Sequence, residues 1–191
     1  VTGLSGRRTI VVDLEATCWD EREPVLASQQ RGETEVIEIG AVLLAGTPSP
    51  ATFRAFVRPV RRPALSAFCT ELTGITQADV ADARPFPEVF RSFLAFCGGD
   101  DDLVFASWGA WDDAMLRKEC KRHGLPAPRW SAVNVKALFA ARRERLPLGA
   151  ALADLGLPFD GRPHRGLDDA RNVVRVLAWL QLQEPGGPST T

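Results

Sequence analysis

Residues 9–19 read TIVVDLEATCW, and the stretch TIVVDLE at its start decides the fold. Four β-branched residues, Thr9 to Val12, make a strand and leave little room for a helix. The run then ends in two acids, Asp13 and Glu15, with Leu14 between them. Side chains at i and i+2 of a strand share a face, so both carboxylates stand side by side where the strand ends. A strand this apolar belongs in a sheet interior, and a buried carboxylate is costly unless paired, protonated or bound to metal. By itself D-x-E also fits two solvated acids at a strand exit. The preceding TIVV favours a central strand, and open α/β sheets bind ligands at the carboxyl ends of such strands.

Working outward, EVIEIGAVLLAG (35–46) reads as a second strand and ATFRAFVRP (51–59) as a third, joined by a hairpin at TPSP. The polar stretch before them, at about 20–33, carries Pro24 and Gly32 and reads as a loop. Residues 61–86 are irregular with short helical turns. Pro85 or Pro87 opens a helix to about Cys97, and GGDD breaks it. LVFAS (103–107) is a fourth strand. AWDDAMLRKECKRHG is a helix stopped by Gly124 and Pro126, and SAVNV (131–135) is a short fifth strand. A helix to about Arg145, a short helix at 148–157 and a long one over about 167–182 complete the chain. Three strands followed by alternating strands and helices predict one α/β domain over 9–182, a mixed sheet of about five strands flanked by helices, the first three strands antiparallel. Residues 1–8 are expected to be a flexible start and 183–191 a disordered tail.

The 191 residues suffice for one real core. A formal net charge of −1 argues against a strongly basic nucleic-acid binder. Acids that hold divalent cations would change that sum, because two such ions add about four positive charges. Twenty of the 23 basic residues are arginine, which suits bidentate phosphate contacts, although a compositional bias towards Arg, Ala, Pro and Gly explains it equally. Arg58, Arg61 and Arg62 form a cluster that reads either as a phosphate contact or as a solvated loop. Cys18, Cys69, Cys97 and Cys120 show no CxxC spacing, so four buried, reduced thiols in a cytoplasmic protein are expected, without structural zinc. No stretch is apolar for long enough to span a membrane, and nothing in the sequence singles out a protein partner.

The last helix, LDDARNVVRVLAWL, carries a second acidic signal. From Asp169, steps of four, seven, eight and eleven reach Val173, Val176, Leu177 and Leu180, so Asp169 lies on the apolar face. Asp168 shares its face with Asn172 and Arg175 and is expected to face solvent or to cap the helix. His164 stands five residues before Asp169, in a loop punctuated by Gly161, Pro163 and Gly166 that can hold an imidazole over a neighbouring site. His123 ends a helix and reads as a cap. Of the two acids after SWGAW, Asp112 shares its face with Met115 and Leu116 and leans inward, whereas Asp113 sits with Arg117.

This order, D-x-E on the first strand, an Asp opening a later helix and H-x4-D opening the last, resembles the DEDDh family of 3′→5′ exonucleases, with its ribonuclease H-like fold. VVDLEATCW, FCTELTGIT, SWGAWDDAMLRKEC, NVKALF and HRGLDDARN resemble its branch of histone-mRNA 3′-end and RNA-interference-enhancing exoribonucleases and their bacterial relatives. The resemblance runs from about Thr9 to Leu180. It implies that Asp13, Glu15, Asp112 and Asp169 hold two divalent cations, Mg²⁺ with Mn²⁺ able to substitute, and that His164 is the general base. It further implies that Ala16 and Thr17 recognise a 3′-hydroxyl and that Phe68, Leu72 and Trp108 contact the terminal nucleotide. Core packing is the competing role for these apolar residues. The implied substrates are single-stranded RNA or DNA 3′ ends, RNA before DNA, cut to nucleoside 5′-monophosphates. A DNA proofreading or repair exonuclease, or an inactive nucleic-acid-binding module of the same fold, remains the alternative.

Overall fold

The computed structural model describes residues 7–20, 22, 33–44 and 50–183. Five strands form one mixed sheet: β1 (Thr9–Ala16), β2 (Val36–Leu44), β3 (Ala51–Phe56), β4 (Val104–Ser107) and β5 (Ser131–Asn134), in the order β3-β2-β1-β4-β5. β1 pairs antiparallel with β2, and β2 with β3, while β4 runs parallel to both β1 and β5. The predicted sheet is the one observed. The expected loose ends and the loop at 20–33 lie mostly outside the described residues, as does the TPSP connection.

Among the described residues there are seven helices: α1 (Ala67–Thr73), α2 (Gln77–Ala81), α3 (Phe86–Cys97), α4 (Trp111–Arg122), α5 (Val135–Ala140), α6 (Leu148–Asp154) and α7 (Gly166–Leu182). β1 is covered on both faces, which is why it reads as a continuous apolar run. Ile10, Val12 and Leu14 pack against Phe90 and Phe93 of α3 and Leu116 of α4. Val11 packs on the other side with Phe139 of α5, Leu152 of α6 and Val173, Val176 and Leu177 of α7. By alternation Asp13 and Glu15 fall on the second side, towards α7.

Three expectations need adjusting. α5 ends at Ala140 instead of near Arg145, closing in a tight turn where both Arg142 and Arg143 donate to the Phe139 carbonyl. Residues 141–145 offer no apolar face to bury, so packing stops supporting the helix there. Asn172 is fully buried although it shares a face with Asp168. The loop at 158–162 covers that face, with Asn172 donating to the Asp160 carbonyl at 2.8 Å and accepting from the Asp160 N–H at 3.1 Å. All four cysteines are free thiols, but Cys18 is only half-buried.

Candidate active site

The parallel pairing of β1 with β4 ends at Val11 and Ala106. Beyond it the strands part, and the site occupies the resulting cleft. The Leu14 N–H, which lacks a strand partner on that side, donates to Asp112 Oδ1 at 3.1 Å. Asp112 is buried in the first turn of α4, where the helix N-terminus favours a negative charge. Asp113, one residue on, instead accepts from Arg117 and from Trp130 Nε1. Asp112 is the inward acid of the pair, as expected.

On the other side α7 is laid directly on β2. A Cβ added to Gly40 would lie 2.0 Å from the Gly166 carbonyl carbon, so no side chain fits between them. This contact brings Asp169 to the β1 acids. Asp13, Glu15 and Asp169 each present an oxygen within 4.8 Å of the others. Glu15 and Asp169 are buried and Asp13 is partly open. A register shift between Glu15 and Ala16 marks where β1 leaves regular pairing, beside these acids.

His164 is exposed at the lip of the cleft and holds φ +61, a left-handed conformation uncommon outside glycine. The segment is braced on both sides. Asp168 Oδ2 accepts from the Arg162 N–H, and Asp169 Oδ2 from the Arg165 N–H, both at 3.1 Å. His123 is elsewhere, stacked on Phe86 at the end of α4.

Crowding of like charge in a poorly hydrated cleft shapes the titration of these acids. Burial, followed by Asp112, Asp169, Glu15 and Glu38, holds the Asp13 carboxyl well above the usual range. Glu15 is pushed up to about 8, by burial first and then by Asp169 and Glu38. Burial lifts Asp112 to about 6 against the opposing hydrogen bond from Leu14. It also lifts Asp169 to about 6, against the neighbouring His164. Hard oxygen donors packed so closely that they resist ionisation form a fitting cradle for divalent cations, which would neutralise them.

Of the expected nucleotide contacts, Ala16 and Thr17 follow Glu15 directly in the chain. Thr17 is buried, its N–H donating to the Glu35 carbonyl and its hydroxyl accepting from the Glu35 N–H. The Ala16 carbonyl accepts from Cys69 Sγ of α1 at 3.6 Å. Phe68 and Leu72, one turn apart on α1, are half-buried. Ser66, which caps that helix, also donates to the Cys18 carbonyl at 2.6 Å and ties α1 to the end of β1. Trp108 is half-buried and packs against Phe139. Arg58, Arg61 and Arg62 are exposed on a loop whose N–H groups at 60, 61 and 62 all donate to the buried Glu35 carboxylate.

Two residues next to the site acids, one in sequence and one across the sheet, were not singled out from the sequence. Trp111 is 50% exposed immediately before Asp112, and its position in the first turn of a helix opened by an inward acid was the available signal. Glu38 is fully buried on β2 opposite Glu15. An acid in the middle of VIEIGAV was its signal, of the same kind as the acids in TIVVDLE.

A family model described as an exonuclease, RNase T type, matches residues 10–177. The chain belongs to the exonuclease family. ERI1 exoribonuclease 2 of Mus musculus is 34% identical to this exonuclease-family chain over 202 residues, covering 92% of it and 28% of the mouse protein. The 3′-5′ exonuclease Snipper of Drosophila melanogaster is 32% identical over 192 residues, covering 88% of the chain and 67% of the fly protein. Among solved structures, the nuclease domain of 3′hExo, a DEDDh family member bound to rAMP, superposes with a TM-score of 0.80 at 29% identity. That match covers 96% of this chain and 95% of the other. The chain thus spans little more than a quarter of the mouse relative, and it shares the ribonuclease H-like DEDDh fold that its sequence motifs resemble.

Proposed function

We propose that the chain is a 3′→5′ exonuclease that hydrolyses phosphodiester bonds at single-stranded 3′ ends, RNA before DNA, and releases nucleoside 5′-monophosphates. The observation that carries this reading is the convergence of Asp13, Glu15 and Asp169 within 4.8 Å at the end of β1, with Asp112 held across the cleft. The names of the relatives, exoribonuclease and 3′-5′ exonuclease, support the polarity and the preference for RNA. Two divalent cations held by Asp13, Glu15, Asp112 and Asp169, with Mg²⁺ the natural choice for an all-oxygen set and Mn²⁺ able to substitute, would stabilise charge on the attacking and leaving oxygens.

The protein's own groups divide the remaining work. His164, exposed at the lip, takes the proton from the attacking water, a role suited to an imidazole near neutral pH. Phe68 and Leu72 on α1, the partly exposed Trp108 and the open face of Trp111 offer apolar surfaces against which a terminal base can stack, which tolerates any sequence. Ala16 and Thr17, at the blind end of β1, set the position of the terminal ribose. Arg58 and Arg61 contact phosphates further upstream. Four unpaired thiols are consistent with work in a reducing compartment such as the cytoplasm, and no described helix is long and apolar enough to cross a membrane.

The test uses 5′-labelled single-stranded RNA and DNA with Mg²⁺, comparing the wild type with His164→Ala. Stepwise shortening from the 3′ end is expected, slowed in the variant by roughly 10²–10⁴-fold, the usual contribution of a general base. Shortening from the 5′ end, or a variant as fast as the wild type, would overturn the reading.

A further inference from the structure

Glu38 shares a sheet face with the site acids, opposite Glu15 on β1 and Phe56 on β3. Both of its carboxylate oxygens are engaged by protein groups. Oε1 accepts from Arg54 Nε at 2.5 Å. Oε2 accepts from the Gly166 N–H at 3.1 Å and lies 3.9 Å from Arg165 Nε. The two guanidiniums lie over the Phe56 ring, at 5.0 and 5.7 Å from its centre. Arg165 also donates to the Gly74 carbonyl at 3.2 Å, at the end of α1.

These contacts meet the segment that carries the chemistry. Gly166 is the first residue of α7, Arg165 supplies the N–H that holds Asp169, and His164 precedes it in a left-handed conformation. Such a conformation persists only where its surroundings over-determine it. Asp168 fixes one side of the segment through Arg162, and Glu38 fixes the other.

We propose that Glu38 is a positioning residue: it neutralises Arg54 and Arg165, pins the start of α7, and so sets where Asp169 and His164 stand against Asp13 and Glu15, without holding a cation itself. The proposal rests on the nuclease reading of the acidic cleft. Glu38 could join the cations only by releasing both arginines and the Gly166 N–H, and that N–H, on a buried residue, would be left without its acceptor.

Glu38→Gln and Glu38→Asp separate position from charge. Gln keeps the length and removes the charge, whereas Asp keeps the charge and falls short of Gly166. Turnover of single-stranded RNA with Mg²⁺ is measured for both beside the wild type, and Mn²⁺ affinity is measured without substrate from the paramagnetic signal of free Mn²⁺. In both variants kcat and Mn²⁺ affinity are expected to fall by roughly 10–100-fold, as when partners of metal ligands are removed. KM should stay within about threefold, because the interaction acts on the reacting geometry and not on substrate binding. Glu38→Asp at wild-type level in both measurements would overturn the proposal, because charge alone would then suffice. So would Glu38→Gln at wild-type level, or a change confined to KM. If neither variant melts cooperatively, Arg165→Gln removes the clamp from the other side and must show the same pattern. A wild type that binds Mn²⁺ but cuts neither RNA nor DNA would sink the nuclease reading, and the Mn²⁺ affinities would still judge Glu38.

Discussion

At the scale of single residues, the site is built from groups that work against the stability of the empty fold. Asp13 shows this most clearly, because burial and four neighbouring carboxylates all oppose its ionisation. Asp13→Asn removes one charge from the cluster at almost constant shape. The metal-free protein should melt higher near pH 8, by about 2–4 °C for each kcal/mol of repulsion relieved. Activity should fall by roughly 10³-fold or more, since several kcal/mol of charge stabilisation is lost with the ligand. Calorimetry and end-labelled RNA assays check both, and a variant that melts lower while still cutting would contradict the reading. The acids and His164 were legible because each belongs to a pattern within five residues of sequence. Glu38 was not, because its partner Gly166 is 128 residues away and only folding joins them. Trp108 and Trp111 show the same limit. Both stand just before Asp112 in SWGAW, and only the structure shows that the first packs on Phe139 and the second stands half open.

At the scale of elements, the decisive contact is β2 against the start of α7. The strands and the long helices were legible from periodicity, because each covers an apolar face that the sequence repeats. Where α7 would land was not, since a glycine in EIGAV and another in HRGLDD give no sign that they meet. Gly40→Ala tests that contact. Gly40 has no left-handed backbone requirement, so the added methyl acts by sterics alone against the Gly166 backbone. Overpacking of this kind costs about 1–3 kcal/mol, or roughly 2–12 °C of melting temperature for a chain of this size. It should also lower kcat, because α7 carries Asp169 and adjoins His164. A thermal melt unchanged from the wild type, with full activity, would show that α7 does not depend on this seat. α5 teaches the converse: its sequence carries on as a plausible helix to Arg145, but the chain ends it where burial ends.

At the scale of the whole molecule, the acidic cleft should dominate the pH dependence of the metal-free protein. A carboxyl whose folded pKa is raised binds more protons in the native than in the unfolded state, so stability falls as pH rises from the unfolded value near 4 to the folded one. Asp112 and Asp169, at about 6, act over the lower part of that window, and Glu15, at about 8, extends it upward. Glu119, raised by burial to about 7, adds the same sign. Two groups oppose it. His123 is lowered by burial and favours folding as pH rises towards 6.5, and Cys69, lowered to about 7 by its hydrogen bond from Cys18, does so between 7 and 9. Four acids outweigh them, so the metal-free melting temperature should drop from pH 5 to pH 8 by roughly 5 °C or more, at about 2–4 °C per kcal/mol. Cations that bind the ionised cluster displace its protons, and their stabilisation adds by linkage to the native state alone. Millimolar Mg²⁺ should therefore raise the melting temperature more at pH 8 than at pH 5.5, and Asp13→Asn should remove most of that gain. An equal gain at both pH values, or one that survives the substitution, would place the bound Mg²⁺ outside the cleft formed by Asp13, Glu15, Asp112 and Asp169.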